Sequence, residues 1–232
     1  KWGAATGVEV DAHDNVYVFQ RNPAMPVVVF DRNGKFLRSW ASDIKFGQTH
    51  FLRVDRFGDI WLTDRGDMQA FKFTPEGRLL LTIGKKGVKG DNNSQDTFNG
   101  MADVAIAKNG DFFIADGEGP NTRVVKFDKD GKFLLTWGEK GTPPDDTRPG
   151  TFDAVHGVQV DPMTRTVYVT DRSSHRVQSF DENGTFIDQF STGNPSTPQV
   201  LFLAADKNFW VADNTTSKIV KYDLGGHYQY SW

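Results

Sequence analysis

Two histidines share one slot of a repeating unit. His50, in "THFLRVD", lies eleven residues before a bulky aromatic, and His156, in "FDAVHGVQVD", takes the same place once the extra turn residue in "DPMTRT" is allowed. The other copies carry Thr6, Ala102 and Gln199 there. Imidazoles from separate repeats, brought to one point with an open coordination position, are a familiar zinc arrangement for polarising an oxygen. The alternative is a pair of channel histidines satisfied by water or backbone. Arg21 and Glu118 occupy links between strands that the chain direction places near the histidine end of their units. A carboxylate there can accept a proton, whereas Arg21 shares its slot with Arg65 and Arg172 and reads equally as structural. His13, His175 and His227 fall in turn or strand-edge contexts and read as solvated.

The elements that must position these residues come from five copies of one grammar. "GVEVDAHDNVYVFQRNPAMPVVVFDRNGKFLRSW", "FLRVDRFGDIWLTDRGDMQAFKFTPEGRLLLTIG" and "GVQVDPMTRTVYVTDRSSHRVQSFDENGTFIDQF" align with copies beginning at "MADVAIAKNG" and "VLFLAADKN". Each holds four short alternating or apolar runs, strands a to d, punctuated by turns such as "DRNGK", "DKDGK" and "DENGT". A four-stranded meander cannot bury both faces alone, so it stacks on its neighbours as the blade of a β-propeller. The expectation is one all-β domain over 1–232, with repeats at about 4–40, 49–84, 99–138, 153–190 and 197–232. "KWG" at the start reads as the tail of a strand d, so six blades are expected when complete, with the sixth missing here. In such a ring the second and fourth blades stand a third of a turn apart, and strand a lines the axis.

A residue type found in every copy is structural, and a departure is a candidate for function. The Asp closing strand b (Asp64, Asp116, Asp171, Asp213) is therefore read as bonding the following turn, with Gln20 in its place in the first repeat. Gly34, Gly77, Gly131, Gly184 and Gly226 are read as supplying the c to d turns. The longest connections, 84–100 and 138–153, fall at the histidine end, where loops shape pockets.

A net charge of -3 without a basic run leaves no footprint for nucleic acid or an anionic membrane. No window approaches a membrane span. The absence of cysteine excludes disulfides and thiolate metal sites while leaving the compartment open.

The repeat pattern resembles the NHL family of propellers, most clearly at 157–186. "GVEVDAHDNVYVFQR", "THFLRVDRFGDIWLTD", "ADGEGPNTRVVKFDKDGKF" and "RPGTFDAVHGVQVD" resemble, more narrowly, the peptidyl-α-hydroxyglycine α-amidating lyases. That resemblance implies zinc on His50 and His156, with a third histidine in the sixth blade. It implies Arg21 as the partner of the substrate carboxylate, and a structural calcium on the backbone carbonyls of Val8 and Leu52. The substrate would be a peptide or small carboxylate. Where the lyases place a catalytic tyrosine after "DG", this chain has Glu118. Its ordinary pKa is about 4.3 against about 10 for tyrosine, so the proton-accepting group differs. The second reading is a non-catalytic scaffold that presents its loop-rich face to a protein or peptide.

Overall fold

The computed structural model describes residues 1–143 and 146–232. Among them the regular structure is all strand. The chain divides into two compact units, Lys1–Asp103 and Val104–Trp232, with the division falling inside one strand.

The first unit holds two four-stranded meanders. The first comprises β1 (Ala5–Val10), β2 (Val16–Gln20), β3 (Val27–Phe30) and β4 (Phe36–Trp40); the second comprises β5 (Thr49–Val54), β6 (Ile60–Asp64), β7 (Gln69–Phe73) and β8 (Leu79–Ile83). The second unit completes the sheet of β9 (Met101–Ile106), β10 (Phe112–Asp116), β11 (Arg123–Phe127) and β12 (Phe133–Trp137). A short parallel pair follows, β13 (Glu139–Lys140) with β14 (Thr151–Phe152). Then come β15 (Val155–Val160), β16 (Val167–Asp171), β17 (Arg176–Phe180) and β18 (Phe186–Ser191). The last meander is β19 (Pro198–Leu203), β20 (Phe209–Asp213), β21 (Lys218–Tyr222) and β22 (Tyr228–Ser231). These five antiparallel sheets are the blades of a β-propeller, as the repeats predict.

Apolar alternation explains why the blades stack. In the first unit Phe19, Val27, Val29, Leu52, Leu62 and Phe73 belong to one buried cluster shared by both blades. The aromatic ending strand d packs against the next blade: Trp40 lies 5.0 Å from Phe73. The second unit repeats the device, with Trp137 5.7 Å from Phe180 and Phe190 5.5 Å from Tyr222. Each such ring buries area worth about 2 kcal/mol and fixes how far one blade turns over the next. The c to d turns also follow the sequence. Gly34, Gly77, Gly131, Gly184 and Gly226 all have φ between +77° and +91°, where a side chain would be strained.

The Asp closing strand b does more than the sequence predicts. Asp64 accepts from Gly66 N and Asp67 N in the following turn, at 3.0 and 3.2 Å. It also accepts from Gly47 N and Gln48 N in the incoming loop, both at 2.7 Å. Asp213 likewise joins Thr197 N to Thr215 N. The carboxylate therefore ties two connections of one blade together. Gln20 does the same as an amide, accepting from Gly3 N at 2.7 Å and donating to Met25 O at 2.9 Å.

Candidate functional site

The histidine slot coincides with a backbone irregularity. In β1, β5, β15 and β19 the pairing register slips between Ala5 and Gly7, Thr49 and Phe51, Val155 and Val158, and Pro198 and Val200. Thr6, His50, His156 and Gln199 are thus bulge residues, or part of a bulge, in strand a. A bulge frees its residue from the ladder and re-aims the side chain.

Both histidines are then held identically. His50 Nδ1 lies 2.9 Å from the carbonyl oxygen of Ala102, and His156 Nδ1 lies 2.7 Å from that of Gln199. In each case the carbonyl belongs to the slot residue of the next repeat. A carbonyl only accepts, so Nδ1 is the donor and Nε2 of the neutral ring presents its lone pair. That is the tautomer a metal ligand needs, with the backbone carbonyl as the group that orients it.

A pair of threonines completes this arrangement, and the sequence reading passed them over. Thr63 Oγ1 accepts from Phe51 N at 3.0 Å and donates to Ala102 O at 2.8 Å. Thr170 Oγ1 accepts from Gly157 N at 2.7 Å and lies 3.4 Å from Gln199 O. Each hydroxyl satisfies the bulge's loose N–H and shares the carbonyl that anchors the imidazole. The signal was present: the residue before the strand b Asp or Gln is threonine only in the two histidine repeats, against Phe19, Ala115 and Ala212 elsewhere.

In the second unit Glu118 and His156 come together, with His156 Nε2 3.3 Å from Glu118 Oε1. Arg172 Nη1 lies 2.8 Å from the same oxygen and 3.4 Å from Gln199 Oε1. The carboxylate and imidazole are nearly buried, with side-chain exposures of 10% and 7%. In this shielded setting the ion pair with Arg172 is stronger than a surface pair. An imidazole nitrogen beside a carboxylate oxygen is a donor set that suits zinc.

In the first unit Arg21 is exposed, and its backbone N–H bonds Ala4 O at 3.0 Å. The three arginines of one slot have different surroundings: Arg172 holds Glu118, Arg65 reaches Gln48 Oε1 at 3.4 Å, and Arg21 edges a cavity of about 530 Å3. Val8 and Leu52 lie on neighbouring strands of different blades. At Gly7 the backbones are so close that a Cβ would sit 2.6 Å from Leu52 N. Nearby, Arg53 joins Asp103 at 2.8 Å and Glu9 at 3.1 Å, with burial raising the Glu9 carboxyl above its usual range despite Arg53. The expectation of a solvated His175 is corrected. It is half-buried with Nδ1 on the carbonyl of Ser196, because its positive φ of 52° turns the ring toward that loop. His13 and His227 are exposed, as expected.

The five four-stranded blades define a β-propeller, and similarity to NHL-repeat relatives gives its type. The chain is 32% identical to NHL repeat-containing protein 3 of Mus musculus, over 94% of this chain and 64% of that protein. It is 31% identical to peptidyl-alpha-hydroxyglycine alpha-amidating lyase 1 of Drosophila melanogaster, over 82% of this chain but only 40% of the lyase. The chain therefore spans less than two thirds of these relatives. No protein-family model matches it. Among solved structures, a streptogramin B lyase superposes with a TM-score of 0.74 at 14% identity, covering all of this chain and 69% of that one. A propeller in a nidogen/laminin complex gives 0.72 at 15%, covering 99% and 80%. At such identities these two show the fold alone.

Proposed function

We propose that the chain belongs to an amidating-lyase-like, metal-dependent propeller that cleaves a C-terminal α-hydroxyglycine to a peptide amide and glyoxylate. The observation that carries this reading is the matched anchoring of His50 and His156. Each imidazole is aimed by a bulge and fastened by a carbonyl at Nδ1, which makes Nε2 the nitrogen that a metal would take. Two such rings, together with similarity to a named lyase, fit zinc better than they fit packing histidines. When bound, zinc would supply Lewis acidity toward the substrate hydroxyl. Glu118 takes the hydroxyl proton; as the new carbonyl forms, the C–N bond breaks and the departing amide nitrogen gains a proton. Arg172 holds the Glu118 carboxylate in place, and Arg21 pairs with the substrate carboxylate. Val8 and Leu52 offer carbonyls to a structural calcium.

The test is glyoxylate release from a peptidyl α-hydroxyglycine by zinc-supplemented protein. Release that disappears in His50→Ala and in His156→Ala supports the reading. A protein that retains no zinc and releases no glyoxylate overturns it. One observation favours a second reading: Glu118 Oε1 is already engaged by both Arg172 and His156. That is the arrangement of a satisfied ion-pair network in a scaffold that binds a protein or peptide.

A further inference from the structure

The first unit carries a cavity of about 530 Å3 beside Arg21, within the size range of small-molecule sites. One wall is the link 20–26, which contributes Pro23 and Pro26; the other is the connection 42–49, which contributes Ile44 and Phe46. Among the described residues no acidic one lines it, while Arg21 and Lys45 do, and both are exposed. Neither cationic side chain makes a hydrogen bond or ion pair with a described residue, unlike Arg172 and Arg65 in the Arg21 slot.

Both walls are built rather than loose. Phe46 is held edge-on by Phe19 and Phe71 at 5.1 and 5.7 Å, and Gly47 N and Gln48 N are fastened to Asp64. Across the cavity Asn22 Oδ1 accepts from Ala24 N at 3.0 Å, and two prolines stiffen the same turn. A preformed hollow that sets Pro23, Pro26, Ile44 and Phe46 beside two cations uncommitted to any described residue has a defined complement: a carboxylate joined, at short range, to an aromatic or bulky aliphatic group.

We infer that this cavity binds the acyl side of an N-acylglycine-type carboxylate, so that it selects an apolar group next to the terminal glycine unit. The inference deepens the lyase reading, because the same Arg21 would hold the carboxylate, but it is tested without turnover.

Titration calorimetry of the full chain in EDTA compares N-benzoylglycine, N-acetylglycine and benzamide. Burial of the phenyl ring should make N-benzoylglycine bind at least about ten-fold tighter than N-acetylglycine. Benzamide, which lacks the carboxylate, should bind weakly. Arg21→Gln and Lys45→Gln, both at exposed positions, should each weaken N-benzoylglycine several-fold, and Ile44→Ser should erase the preference for phenyl over methyl. Equal affinity for the two acids, benzamide binding as well as N-benzoylglycine, or no binding at millimolar ligand overturns the inference. Selective binding without glyoxylate release sinks the lyase reading alone. Glyoxylate release with equal kcat/KM for benzoyl and acetyl α-hydroxyglycines sinks the cavity and leaves the lyase standing.

Discussion

Thr63→Val is the sharpest test of how the histidine blade is built. Valine has nearly the same shape, so packing around this fully buried position is kept while the hydroxyl is lost. Two bonds go with it, from Phe51 N at 3.0 Å and to Ala102 O at 2.8 Å. The Phe51 N–H is left without this acceptor beside the bulge, and an orphaned buried donor costs about 1–3 kcal/mol. Ala102 O fares better, because His50 Nδ1 still donates to it at 2.9 Å. The total should be about 2 kcal/mol. For a protein of this size that is about 4–8 °C in Tm. Urea denaturation followed by tryptophan fluorescence measures it, with Thr82→Val on an exposed position of β8 as the control. The substitution should also weaken zinc binding, since the bulge that aims His50 loses one of its two fasteners. A variant as stable as the control, with unchanged metal affinity, would refute the idea that the hydroxyl organises the slot.

Two further outcomes follow from the first unit. Gly7→Ala places a Cβ 2.6 Å from Leu52 N and 2.9 Å from Leu52 Cβ, so neighbouring blades must part. A loss of about 1–3 kcal/mol in chemical denaturation is expected, and an unchanged midpoint would show that the strands yield freely. Burial raises the Glu9 carboxyl above its usual 4.5, with Arg53 only partly opposing it. The folded state therefore binds the proton more tightly than the unfolded chain does, and stability falls as pH rises through the window above 4.5. Glu9→Gln removes that titration, so its stability relative to the parent should improve as pH rises through the range above 4.5. Parallel stability profiles over that range would contradict the assignment.

The sequence alone carried the blade count, the strand order within each blade and the turn glycines. All of these follow from local chemistry repeated five times: alternation makes strands, Asp and Gly make turns, and an amphipathic sheet must stack. Contrast between repeats also singled out His50 and His156, because a departure from an internal pattern is visible without coordinates. What it could not show was why the slot suits a ligand. A one-residue bulge is a register slip between two strands, and neither strand's sequence states where the other stands. For the same reason the carbonyls of Ala102 and Gln199 were invisible as anchors, although the threonines sharing them were there to be read. The pairing of Glu118 with His156 and Arg172, across 38 and 54 residues of chain, also belongs to the tertiary structure alone. So does the difference between Arg21 and its repeat-mates: all three fill the same repeat slot, but the packed loops around each decide which guanidinium finds a partner and which faces a cavity.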